Sequence, residues 1–391
     1  MFEYGGLMKK RMMLAALILL LCTAFAFAEE AQDISAACSA TTNGTMRDTS
    51  ALFDRAYKTK YTLRPGGVLE FASDEAISGV YLQYFEVPYT CDIRVQQNGE
   101  WVTVASTGPY LSDWVPLPEG TNAVQLVNAS RDKIYLSELT LFGAGDRPAY
   151  VPQWETLADC DLMLVVAHPD DEHLWFGGLL PTYACERGLD VQVVYVVPTT
   201  ARRKLELLDG LWHVGVTAYP VFLNMPDLNG RTLSGQYEHW NANTLNGRLV
   251  RAIRQYKPEV LVTHDFKGEY GHGAHKAAAD AASKSILLAA NPKKFTGSVE
   301  DYGVWTVSKM YVHLYAENPI QLDWTQPLNA FGGKDGLTVA TEGLACHVSQ
   351  VNSGWTMEDS IKYDNSKFGL YYTTVGPDVL CNDFMENIPL D

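Results

Sequence analysis

Residues 162–178 read LMLVVAHPDDEHLWFGG, and the architecture turns on this stretch. Leu162 to Ala167 is an unbroken apolar run, the pattern of a strand buried on both faces of a parallel sheet, and it stops at His168. His168, Asp170 and Asp171 follow at once. An open α/β sheet places its chemistry in the crevice beyond the carboxyl ends of its strands, so these groups stand where a site is expected. Further on, Val260-Leu261-Val262-Thr263 is a second apolar run, ending in His264-Asp265 and then Gly268-Glu269-Tyr270-Gly271-His272-Gly273-Ala274-His275. His272 and His275 open an alanine-rich segment, where helical spacing puts both on one face. Two strand ends thus offer His, Asp and His, a reasonable donor set for a metal that keeps one position open.

AHPDDE at the end of one strand, paired with a later GEYGHxxH, resembles the PIG-L/LmbE family of zinc-dependent N-acetylglucosaminyl deacetylases. The resemblance runs from about Asp161 to Leu288 and takes in the strand–helix order and the Gly177-Gly178 pair. It implies His168, Asp171 and His275 as ligands of Zn2+, with Fe2+ the other admissible ion, and Asp170 as the general base. His272 and Tyr270 fall where the family has catalytic helpers, which would steady the charged carbonyl oxygen, and a protonated His272 would hand a proton to the leaving amine. Arg203 and Asp227 fall where relatives contact sugar hydroxyls. Many members have HPDH where this chain has His272-Gly273-Ala274-His275, which removes a carboxylate beside the histidines and leaves the substrate preference open. The implied reaction is removal of the N-acetyl group from an N-acetylglucosamine-like sugar or glycan by metal-activated water. The alternatives are hydrolysis of another amide and a non-catalytic glycan-binding protein.

With 391 residues, 47% hydrophobic and 19% charged, the chain has an ordinary globular composition and room for two or three domains. A net charge of −16 argues against nucleic acid or an anionic membrane as the main partner, since both need a basic surface. Lys9-Lys10-Arg11, the apolar stretch Met12 to Cys22 and Ala26-Phe27-Ala28 read as a signal peptide over residues 1–28, cut before Glu29, and so as a secreted or cell-surface protein. The apolar run is short of the ~20 residues of a spanning helix, so no stable membrane span is expected. Cys38, Cys91, Cys160, Cys185, Cys346 and Cys381 remain after cleavage. Export permits disulfides, with Cys346–Cys381 the candidate pair, while the lack of any CxxC argues against a cysteine-based zinc site. Oligomeric state is left open.

Residues 29–47, small and polar, read as a linker. Residues 48–145 show short alternating apolar runs between turn residues, the pattern of an antiparallel sandwich, and resemble discoidin and galactose-binding-like jelly rolls. That resemblance implies a carbohydrate-binding module, with Tyr84, Tyr89, Trp101, Tyr110 and Trp114 as candidate aromatics, although most are expected to pack in the core or at edges. Residues 146–156, with Pro148 and Pro152, form a second linker. Residues 157–391 alternate strand and helix, which implies a Rossmann-like parallel sheet with helices on both faces, followed by a C-terminal extension packed against it. Helices are expected over Glu172–Arg187, Arg202–Val214, Asn243–Tyr256 and His272–Leu288, and strands at Val191–Val197, Ala218–Leu223 and Lys309–Ala316. The first strand is followed by AHPDDE instead of GxGxxG, which excludes a dinucleotide fingerprint. In isolation an aspartate at a helix start is most often a cap, and a lone histidine a core residue. The conjunction of groups at two strand ends is what favours a site. His213, His264, His313 and His347 lack such company and read as structural, with His347 nearest the cleft.

Overall fold

The computed structural model describes residues 29–87 and 90–389; the expected signal segment and Tyr89 lie outside them. The first part is a sandwich of nine strands: β1 Ser39–Thr42, β2 Tyr61–Leu63, β3 Val68–Ala72, β4 Gly79–Tyr84, β5 Cys91–Gln97, β6 Glu100–Ser106, β7 Ser112–Pro116, β8 Ala123–Asn128 and β9 Ile134–Phe142. They form two antiparallel sheets, ordered β1-β3-β8-β5-β6 and β2-β9-β4-β7. The segment read as a linker contributes β1, whose register on β3 runs from Ser39 opposite Ala72 to Thr42 opposite Leu69. Its short polar residues suit an edge strand with one face in water, which is why composition alone suggested a linker. Of the candidate aromatics, Tyr84 is fully buried and Trp114 packs edge-on against Phe142. Tyr110 hydrogen-bonds Thr156, and Trp101 is half-buried on β6.

The second part is built on a seven-stranded sheet: β10 Leu162–Val166, β11 Val191–Tyr195, β12 Val221–Phe222, β13 Val260–Thr263, β14 Lys309–His313, β15 Pro319–Gln321 and, after a small ribbon of β16 Pro327–Leu328 and β17 Lys334–Asp335, β18 Lys367–Thr373. The order is β12-β11-β10-β13-β14-β18-β15, parallel from β12 to β14, with β18 antiparallel to both of its neighbours, β14 and β15. β10 lies inside the sheet between β11 and β13 with every residue buried, as its apolar run requires. The helices that position the site are α1 Asp171–Leu174, α2 Ala201–His213, α3 Leu233–His239, α4 Ala242–Tyr256, α5 Gly273–Ala289, α6 Thr296–Tyr302, α7 Gly336–Ala345 and α8 Val348–Val351. The long helix expected over Glu172–Arg187 is instead the four-residue α1, a turn through Gly177 and Gly178, and a π-helical segment Pro181–Glu186. Residues 321–342 contain the β16–β17 ribbon and the start of α7.

The two parts share one apolar core, in which Leu52, Phe71 and Val80 of the sandwich join Trp154, Leu205 and Leu208 of the α/β part. Polar contacts cross the same boundary: the Tyr57 hydroxyl donates to Asp209 at 2.6 Å, and Trp154 Nε1 donates to Ser112 at 2.8 Å. Cys38, Cys91, Cys160, Cys185, Cys346 and Cys381 are all free thiols, so the Cys346–Cys381 pairing is not formed. A shared core of this size holds the chain without crosslinks.

Candidate metal centre

Parallel pairing of β10 with β13 sets Val165 opposite Thr263, so the chain leaves both strands at the same edge and the two motifs meet there. His168 sits beyond β10. Its ring centroid is 4.8 Å from that of His272 and 5.4 Å from that of His275. Asp171 begins α1, accepting the His168 backbone N–H at 2.6 Å through Oδ2 and the Trp175 indole N–H at 2.8 Å through Oδ1. Its Oδ1 lies 3.4 Å from His275 Nε2 and its Oδ2 3.3 Å from His168 Nδ1. The expected ligand set of His168, Asp171 and His275 is therefore brought together, buried at 7%, 2% and 0% exposure.

Tautomers separate the other histidines. His275 Nδ1 faces the Glu269 carboxylate at 2.7 Å, so it is the N–H side, and Nε2 turns into the site with no hydrogen-bond partner. A carboxylate behind one ring nitrogen and a free lone pair on the other is the arrangement of a metal-bound imidazole. His264 also gives Nδ1 to Glu269, at 2.8 Å, but its Nε2 accepts the Ala167 backbone N–H at 2.9 Å and has nothing left for a metal. His272 caps α5 by accepting the Ala274 N–H on Nδ1, which leaves Nε2 as an N–H donor. His168, His272 and His275 are close enough to share an ion, as are Asp171, His264 and His275.

Charge in the pocket favours a cation. Burial works against ionising Asp171, yet His275, His168 and His264 outweigh it and hold the carboxyl well below its usual range. Burial likewise opposes charge on His275, but Asp171 and Glu269 raise that imidazole to about 10, so the Nε2 lone pair becomes available as a bound cation displaces its proton. The donor set, the unpartnered Nε2 and the flanking carboxylates fit a divalent ion such as zinc. His272 is pushed down to about 3 by burial and by His168 and His275, so near neutrality it is an uncharged N–H donor. The expected protonated His272 is not favoured here.

Asp170 precedes α1 with φ 118°, and its side chain makes no capping hydrogen bond, which removes the bland reading of a helix cap. Instead Oδ2 lies 3.2 Å from Arg203, whose guanidinium also donates to the Pro169 carbonyl. Burial drives the Asp170 carboxyl well above its usual range, with Arg203 opposing and Asp171 and Glu172 adding to the rise. Arg203, expected to meet sugar hydroxyls, is thus also the residue that pins Asp170. Asp227 is half-exposed at the cleft wall, 3.9 Å from His168. Tyr270, at φ 44°, sets its ring 5.7 Å from that of Trp175 and 5.3 Å from that of Trp355, and the two indoles are 6.1 Å apart, so the three rings form one cluster.

The cleft over these groups measures about 330 Å³ and is closed on one side by Gln350 and Trp355 from the C-terminal extension. Sequence reasoning passed over Glu269, although it stands in the second motif. This fully buried carboxylate accepts from His264, His275 and His313 and from the Asp265 backbone N–H. A buried acid can remain ionised only with such donors, and an acid amid histidines was the available signal. Gln350 and Trp355 carried no local signal at all, because only folding brings them to the cleft.

Residues 163–286 match the family model described as PIG-L: GlcNAc-PI de-N-acetylase. A 1D-myo-inositol 2-acetamido-2-deoxy-alpha-D-glucopyranoside deacetylase of Catenulispora acidiphila is 26% identical over 251 residues, covering 56% of this chain and 76% of its own. Among solved structures, the N,N'-diacetylchitobiose deacetylase of Pyrococcus horikoshii is 16% identical with a TM-score of 0.37, covering 49% of this chain and 71% of its own. The galactose-bound family 32 carbohydrate-binding module of C. perfringens NanJ is 11% identical with a TM-score of 0.24, covering 29% and 98%. The match to the PIG-L family model over residues 163–286 takes in both strand-end motifs.

Proposed function

We propose that the chain is an exported, metal-dependent amidohydrolase that removes the acetyl group from an N-acetylglucosamine-like sugar. The observation that carries this reading is His275: its Nδ1 is fixed by Glu269 while its Nε2 is buried and unpartnered beside Asp171 and His168. The deacetylase names of its relatives point to the same bond. His168, Asp171 and His275 would hold the metal, which when bound would polarise a carbonyl and lower the pKa of its water to about 7.

Asp170 takes a proton from the attacking water as the new C–O bond forms at the acetyl carbon. Its raised affinity for that proton suits a general base, and Arg203 keeps it aimed at the cleft. The carbonyl oxygen gains negative charge, and the His272 Nε2–H is the nearby donor to meet it. When the C–N bond breaks, Asp170 returns the proton to the amine nitrogen, so acetate and a free amino sugar leave and the carboxylate is restored. Trp175, Tyr270 and Trp355 form an aromatic wall suited to the apolar face of a pyranose. The sandwich is assigned a glycan-holding role on its jelly-roll pattern.

Acetate release from N-acetylglucosamine oligomers by the zinc-loaded protein tests the reading. Release is expected, with none from Asp170→Asn at equal metal content. No release from wild type with metal bound would remove N-acetyl sugars from consideration. Export is checked by the amino terminus of the mature protein, expected at Glu29.

A further inference from the structure

Glu172 and His173 follow the site aspartates in α1, and His347 lies just past α7; all three are fully buried. None of them lines the cleft. Five of their polar atoms have no hydrogen-bond partner: Glu172 Oε1 and both ring nitrogens of His173 and of His347. Orphaned buried polar groups are rare, because each one left unpaired forfeits the hydrogen bonds it made in water. A cluster of five therefore points to a missing partner in their midst.

The spacing identifies the class of partner. Glu172 Oε1 lies 3.0 Å from His347 Nε2 and 3.6 Å from His173 Nε2. Neither pair is aligned as an N–H···O bond. Donors about 2.0–2.1 Å from a tetrahedral ion stand about 3.3 Å from each other, midway between these two distances. One oxygen and two imidazole nitrogens, with no thiolate, form a donor set for a first-row transition-metal dication. The surrounding backbone leaves room for it: a Cβ on Gly210 would stand 3.0 Å from His173 Nε2 and 3.1 Å from His347 Nε2, and one on Gly343 2.6 Å from the His173 ring.

We infer that Glu172, His173 and His347 bind a second, structural metal ion, zinc or iron(II), distinct from the one at His168, Asp171 and His275. Glu172 joins the two places. Its Oε2 accepts the Asp170 backbone N–H at 2.9 Å, and its Oε1 faces the two histidines. The ion would tie the turn that carries Asp170 to the C-terminal extension, a few residues before that extension delivers Gln350 and Trp355 to the cleft. An ion bridging elements remote in sequence is the usual role of a closed structural site.

Metal analysis of the full-length protein, purified without chelator and dialysed against Zn2+ or Fe2+, decides the matter. Two equivalents per chain are expected. His173→Asn and His347→Gln should each fall to one, as should His275→Ala through the other site, and His173→Asn with His275→Ala should hold none. Should the buried variants not fold, anomalous diffraction from wild-type crystals gives the same answer, with one of two peaks between His173, His347 and Glu172. A single equivalent or peak confined to His168, Asp171 and His275, no metal at all, or a water in the second position overturns the inference. Metal lost in His173→Asn but kept in His275→Ala would support it while counting against the first site.

Discussion

Asp170 adopts φ 118°, a backbone conformation that glycine tolerates and aspartate resists at about 1–3 kcal/mol. The Glu172 carboxylate on its N–H and Arg203 on its side chain hold it there. If Asp170 is the base, Asp170→Asn should lower acetate release by about 10²–10⁴-fold with metal content unchanged. Loss of metal along with activity would assign it to the ligand set instead. Arg203 favours the ionised form of Asp170, so removing its charge raises that carboxyl further. Arg203→Ala should therefore move the acid limb of kcat/KM to higher pH, and an unmoved limb would restrict Arg203 to binding substrate. Glu269→Gln, which keeps the shape but weakens the hold on His275, should weaken metal affinity by about 10–100-fold, read by competition with a chromogenic chelator.

At the level of elements, the link after β10 shows how packing overrides local pattern. The residues after Asp171 have helical spacing, yet the helix ends after one turn, because Gly177 turns the chain at φ 51° and Gly178 meets another backbone. A Cβ on Gly178 would stand 3.1 Å from the backbone of Gly336 at the start of α7 and from Trp324 Cβ. Neither neighbour is the far end of a flexible chain. Gly178→Ala should therefore destabilise the protein by about 1–3 kcal/mol in urea unfolding, and a neutral result would mean that α7 shifts freely. α5 behaves as its sequence suggested, running one residue past the expected end, with His272 as its cap.

Across the whole molecule, three carboxyls at or near the boundary between the parts bind protons more tightly than usual. Burial raises Asp209 and Glu138 to about 7 and Asp113 to about 6. Between their ordinary values near 4 and these raised values, the folded state holds more protons than the unfolded one, so stability falls as pH rises through that window and levels off above it. The unfolding midpoint should thus be higher near pH 5 than near pH 8, and Asp209→Asn with Glu138→Gln should flatten the difference. A midpoint that climbs from pH 5 to 8 would contradict this. Because one apolar core spans both parts, calorimetry should show a single cooperative transition.

The parallel sheet, the sandwich before it and the meeting of AHPDDE with GEYGHxxH were legible in the chain's residues. Each follows from short-range chemistry: an apolar run buried on both faces must be central, and a polar break after it must lie at the sheet's edge. The edge strand Ser39–Thr42 escaped notice because a strand with polar, half-exposed residues carries little pattern. Tertiary structure alone decided which nitrogen of each histidine is free, since Glu269, Ala167 N–H and Ala274 N–H choose the tautomers through hydrogen bonds across the fold. It likewise decided that Arg203 pins Asp170, that Gln350 and Trp355 close the cleft, and that His347 joins Glu172 and His173. Those contacts join residues far apart in the chain, and no local periodicity records which distant side chain will fill a given space.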